Sequence, residues 1–145
     1  IIRTSWLYSA YGNNFVATML RLMRERPVLR VVDDQIGSPT SAASLASAIW
    51  QLGQTDTVGI MHYSDSGVAS WYDFAVAIME EALAIGLLDR AVEIVPIPSS
   101  AYPTPARRPN FSVLDKSDTI EALGHAPPHW RASLRDVLEA IKTDG

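Results

Sequence analysis

Val31-Val32-Asp33-Asp34-Gln35-Ile36-Gly37-Ser38-Pro39-Thr40 is the stretch on which the fold turns. The apolar run from Leu29 to Val32 predicts a strand that ends where two acids and a glutamine begin. Gly37 and Pro39 call for an irregular turn, and Ser38, Thr40 and Ser41 offer hydroxyls as caps for the alanine-rich helix that follows. Strand, polar loop and helix N-terminus in this order is how α/β sheets gather ligand-binding groups outside the carboxyl end of a strand. Asp33 and Asp34 suit a shared metal ion poorly, because neighbours on a strand point to opposite faces.

The totals set the frame. A chain of 145 residues, 48% of them hydrophobic, is one domain's worth with enough apolar surface for a core. A net charge of −4 gives no reason to expect nucleic acid, and the arginines are not interleaved with aromatics as a single-strand binder requires. No apolar run reaches the roughly 20 residues of a membrane span. The absence of cysteine excludes disulfides and thiolate metal sites, and the expected setting is the cytoplasm. The opening Ile1-Ile2-Arg3-Thr4 reads as a buried strand, so the chain is expected to be a fragment of a longer protein.

Outward from the decapeptide, the alternation is strand, helix, strand, helix, strand, helix, strand, then two helices, an α/β pattern. Ser5-Trp6-Leu7-Tyr8 is the exit of the first strand. Gly12-Asn13-Asn14 supplies a turn and a cap, and Phe15, Val16, Met19, Leu20 and Met23 recur at helical spacing as far as Arg26, before Pro27. A helix from Ala42 to Leu52 turns Leu45, Ile49 and Leu52 inward. Gly59 to Tyr63 predicts a buried strand in which His62 is a satisfied core residue. His125 and His129 are four apart, but Pro127 and Pro128 between them deny the helix that would pair them. Ser70-Trp71-Tyr72-Asp73 is a capping box opening a helix with a stripe of Phe74, Ala75, Ile78, Met79 and Ala82. Its mechanics are structural, and no chemistry is assigned to it. After a strand from Val92 to Ile97, residues 96–109 carry five of the nine prolines, which predicts a stiff, extended loop. Arg107 and Arg108 lie in that frame, and guanidinium suits bidentate phosphate contacts. A short capped helix from Asp115 to Gly124 follows, and a final one from Trp130 buries Leu134, Val137, Leu138 and Ile141.

Five motifs now carry a resemblance: Arg3-Thr-Ser-Trp6-Leu-Tyr8, Gly12-Asn-Asn-Phe15, the decapeptide, Ser70-Trp71-Tyr72-Asp73-Phe74, and Tyr102-Pro-Thr-Pro-Ala-Arg-Arg-Pro109. In this order they resemble the C-terminal half of the dTDP-4-dehydrorhamnose reductase family, extended short-chain dehydrogenases. The resemblance implies the last strands of a Rossmann-type sheet plus a small substrate-binding domain, with residues 1–145 as one such unit and a separate N-terminal dinucleotide-binding part as its partner. It implies NADPH or NADH as cofactor, with Thr4 and Ser5 lining it, and a dTDP-sugar as substrate. Trp6 would lie beside the sugar, and Asn14 and Phe15 beside the nucleotide diphosphate. Arg108 would meet that diphosphate, with Arg107 second; Gln35 and Tyr102 complete the substrate set. Some members join a dimer through Mg²⁺ held by two acids; Ala43 and Ala140 stand at those places, so no metal dimer is expected and the oligomeric state stays open.

Two parts of the family's machinery are missing from these residues. No Gly-x-x-Gly-x-x-Gly fingerprint is present, and neither Lys116 nor Lys142 has a tyrosine four residues before it. In the family that tyrosine protonates the sugar carbonyl, so the resemblance implies no catalytic residue here and no activity for the chain alone. Two alternatives remain open: a nucleotide-sugar epimerase or dehydratase of the same superfamily, and a non-catalytic regulator resembling the β subunit of methionine adenosyltransferase.

Overall fold

A computed structural model describes residues 1–102, 104, 106 and 108–144, without the side chain of Asp144. The chain is α/β, and its strands form four separate two-stranded pairs. β1 (Ile2–Arg3) pairs in parallel with β6 (Met61–His62), and β2 (Leu7–Tyr8) with β5 (Thr40–Ser41). β3 (Val28–Val32) runs parallel to β8 (Glu93–Ile97) over five residues, and β4 (Ile36–Gly37) pairs antiparallel with β7 (Ala69–Ser70). The expected strand from Gly59 to Tyr63 is cut to two residues. Gly59 takes φ +99°, and Ile1, Val58 and Ile60 beside the β1–β6 pair are exposed, so this edge is not the buried strand that its apolar residues suggested.

The helices follow their sequence signals closely. α1 (Phe15–Glu25) starts at Asn14, whose side-chain oxygen accepts from the Ala17 amide at 3.2 Å, and buries Val16, Met19, Leu20 and Met23. α3 (Trp71–Ala84) opens on the expected capping box: the Ser70 hydroxyl accepts from the Asp73 amide, and the Asp73 carboxylate accepts from the Ser70 amide. α4 (Ser117–Leu123) ends on Gly124 in the left-handed region, and α5 (Trp130–Asp144) buries Leu134, Val137 and Leu138. The core lies between α1, α3, α5 and the β3–β8 pair, centred on Phe74 against Tyr8 and Trp130.

α2 (Ala42–Leu52) is a partial correction. Leu52 is buried and Leu45 half-buried as expected, but Ala48 occupies the contact face while Ile49 is 48% exposed. A methyl side chain lets this helix approach closely, so the small residue takes the inner position. A second correction concerns its cap. Ser41 stands at the N-cap with no side-chain cap bond; the buried Asp65 carboxylate, 24 residues on, accepts from the Ser41 amide at 3.1 Å and from the Ser44 hydroxyl. A carboxylate distant in sequence, in place of the Ser41 hydroxyl, thus meets the start of this helix.

Candidate functional site

A groove of about 1070 Å³ lies between α1, the β3–β8 pair and the segment after β8. Phe15, Thr18, Met19 and Leu22 form one wall and Val28 to Val32 the floor. Trp71 closes one side, and Gln35, Tyr102 and Arg108 reach it from the decapeptide and the proline-rich segment. Among the described lining residues the charged side chains are Arg26, Arg30 and Arg108, with no carboxylate. In a chain of net charge −4, three guanidiniums around an apolar floor make this a place for an anion that carries a flat or apolar body.

The segment carrying Tyr102 and Arg108 is fastened at both ends to the decapeptide. At its start the Asp34 carboxylate accepts from both the amide and the hydroxyl of Ser99, at 2.9 Å each, and Ser99–Ala101 form a single 3-10 turn. At its end the Ile36 amide donates to the Asn110 carbonyl at 2.8 Å, and the Ser112 amide donates to the Ile36 carbonyl at 2.9 Å. Two points of the decapeptide, two residues apart, thus hold both ends of the loop. Of the acid pair, Asp34 serves this fastening, and among the described residues no cluster of three or more potential metal ligands forms.

Trp6 stands at the exit of β1 with φ +49°, a left-handed conformation that costs a bulky residue about 1–3 kcal/mol. Its indole stacks on Trp71 with centroids 3.6 Å apart and planes 5° from parallel, and Trp71 in turn meets Phe15 at 4.7 Å. Gly37 makes room for it: a Cβ there would fall 2.5 Å from the indole. The hydroxyl of Ser5 is buried and has no partner, whereas Thr4 is exposed. Asn14 spends its amide internally, donating to the carbonyls of Ser9 at 3.0 Å and Tyr11 at 3.3 Å while capping α1.

Behind the decapeptide lies a buried polar hub. Burial pushes the Asp65 carboxyl above the usual range, partly offset by bonds from Ser44, Ser41 and Ser133 and by the charge of Lys116. Burial likewise draws the Lys116 ammonium below its ordinary value; it donates to the Ser64 hydroxyl and the Asp65 carbonyl. Burial pushes the Tyr8 phenol above its ordinary value, and its hydroxyl donates to the Trp130 carbonyl at 3.2 Å.

Of the residues singled out from sequence, Phe15, Gln35, Tyr102 and Arg108 meet in the groove. Trp6 reaches it only through Trp71, while Asn14, Thr4 and Ser5 lie off its lining. Arg107 falls outside the described residues. Sequence reasoning passed over Trp71, Arg26, Arg30 and Asp34. Arg30 had a signal, a lone charge in the middle of an apolar strand; Trp71 had none, since the capping box accounted for its motif.

The family described as the RmlD substrate binding domain matches residues 1–143. A dTDP-4-dehydrorhamnose reductase from Aggregatibacter actinomycetemcomitans is 43% identical over 143 residues, covering 94% of this chain and 49% of that protein. The spore coat polysaccharide biosynthesis protein SpsK of Bacillus subtilis is 47% identical over 139 residues, covering 96% and 46% respectively. Among solved structures, a dTDP-4-dehydrorhamnose reductase from Bacillus anthracis in complex with NADP superposes with a TM-score of 0.86 at 37% identity, over 96% of this chain and 47% of that one. The chain spans about half the length of the curated relatives it matches.

Proposed function

The chain belongs to the RmlD substrate binding domain family, and on that footing we propose that it is the C-terminal, substrate-binding part of a dTDP-4-dehydrorhamnose reductase. The full protein reduces the 4-keto group of dTDP-4-dehydro-L-rhamnose to give dTDP-L-rhamnose. The observation that carries this reading is the groove: apolar floor, aromatic wall, and three arginines with no carboxylate among its described lining residues. A sugar nucleotide presents the matching parts, a planar base and a diphosphate.

Arg108 takes the diphosphate, held over the groove by the Asp34 and Ile36 fastenings. Arg107 stays the second candidate from sequence. Phe15, Tyr102 and Gln35 shape the groove around the nucleotide, and Asn14 serves by fixing the start of α1 and with it Phe15. Trp6 lies beside the sugar. Thr4 and Ser5 face the cofactor edge; the unpartnered, buried Ser5 hydroxyl fits a group that completes its hydrogen bonding with a bound molecule. A nicotinamide cofactor, NADPH or NADH, supplies the hydride when bound. The N-terminal dinucleotide-binding part packs on the edge where Ile1, Val58 and Ile60 are exposed. No described helix is long and apolar enough to cross a membrane.

Oxidation of NAD(P)H by the full-length protein with dTDP-4-dehydro-L-rhamnose is the test. Turnover is expected for the full protein and none for residues 1–145 alone. A full protein that turns over no 4-keto sugar nucleotide, or a 145-residue chain that does, contradicts the proposal.

A further inference from the structure

We propose that Trp71 and Gly37 are positioning residues, holding the Trp6 indole as a platform for the sugar ring, and that Trp71 acts through Trp6. This rests on the sugar-nucleotide reading of the site. Trp6 is the one non-glycine residue among those described with positive φ. A bulky side chain keeps such a backbone only where its surroundings over-determine it. Three contacts do so here. Trp71 covers one face of the ring at 3.6 Å and 5°. Gly37 lies against its edge, with no space for even a methyl group. The Trp6 carbonyl accepts from the Thr40 amide at 3.1 Å, at the start of the β2–β5 pairing.

Trp71 is itself immobilised. It is the first residue of α3, directly after the capping-box serine, and it packs on Phe15. A stabilising core aromatic needs neither a left-handed backbone nor a glycine under its ring, and it is covered; Trp6 is only half-buried. Strain held by a rigid stack beside a ligand groove is the pattern of a preset binding surface.

The test uses the full-length protein and two probes, dTDP and dTDP-L-rhamnose, whose affinity ratio isolates the sugar's contribution. Trp6→Leu, Trp71→Leu and Gly37→Ala are each expected to cut that ratio about tenfold, and Trp6→Leu and Gly37→Ala, which lie off the groove lining, to hold dTDP affinity within about threefold. Gly37→Ala removes no contact and only displaces the ring, so it stands in if Trp71→Leu fails to fold. The double variant Trp6→Leu/Trp71→Leu is expected to lose no more than Trp6→Leu alone. A merely structural role would lower the melting temperature and leave the ratio untouched. An unchanged ratio in Trp71→Leu or Gly37→Ala, a loss in dTDP affinity in Gly37→Ala, or an added loss of the ratio in the double variant overturns the positioning role. A wild-type protein that binds both probes equally overturns the sugar platform and the reading on which it rests.

Discussion

Asp34 fastens the loop, and Arg108 is the residue of that loop proposed to meet the ligand. The Asp34 carboxylate holds both donors of Ser99, so Asp34→Ala frees the start of the segment that carries Tyr102 and Arg108. Loosening a pre-ordered loop returns to binding the entropy that ordering had removed. Asp34→Ala is expected to weaken dTDP-sugar binding by about three- to tenfold, with Asp34→Asn between variant and wild type. Titration calorimetry decides it, and full wild-type affinity in Asp34→Ala would show the fastening to be incidental. Arg108 could be singled out in sequence because prolines frame it in an acidic chain and the family resemblance sets an arginine before the last proline, and it lines the groove. Asp34 was not, because two adjacent acids read as a doubtful metal pair, and the partner that uses one of them lies 65 residues away. Trp71 was hidden differently. Its motif has a complete local explanation as a helix start, and only the fold brings it against Trp6 and the groove.

At the scale of elements, α3 and α5 are joined by a clasp centred on Glu81. Its carboxylate accepts from Arg135 Nε at 2.7 Å, from a second Arg135 nitrogen at 3.0 Å and from Arg131 Nε at 2.7 Å. Arg135 first, then Arg131, holds the Glu81 carboxyl below its ordinary value of 4.5. With the folded value below the unfolded one, the stabilisation is present above pH 4.5 and lost as the pH falls through the lowered value. Glu81→Gln is expected to cost about 1–2 kcal/mol at neutral pH, discounted for the exposure of both arginines. The gap between variant and wild type closes in acid. Melting temperatures across that range check it, and a gap that persists at low pH would assign the cost to packing. Helices were readable here because caps and spacing are local: Asn14, Ser70 and Gly124 stand where the structure uses them. The sheets were not. The five-residue β3 and β8 are the exception, expected from their apolar runs; the other six segments are two residues long and carry no periodicity to detect. The same distance hid Asp65 as the acceptor that completes the start of α2.

For the whole molecule, class and family followed from motifs in order, whereas the groove depends on tertiary contact between α1, β3 and a loop 70 and more residues further on. Arg26 and Arg30 meet Arg108, brought in from a loop distant in sequence, around one largely apolar floor. The most direct test is the affinity of the full-length protein for dTDP-L-rhamnose with Arg108→Ala, at two salt concentrations. Arg21→Ala serves as control, because Arg21 pairs with Glu25 on α1 at 3.0 Å and does not line the groove. A charged hydrogen bond to the ligand is worth about 1.5–3 kcal/mol, so Arg108→Ala is expected to lose at least about tenfold, with a weaker salt dependence than wild type. Arg21→Ala should stay within about threefold of wild type. Equal, small losses in both variants would make Arg108 a solvated surface charge and contradict the groove as the diphosphate site.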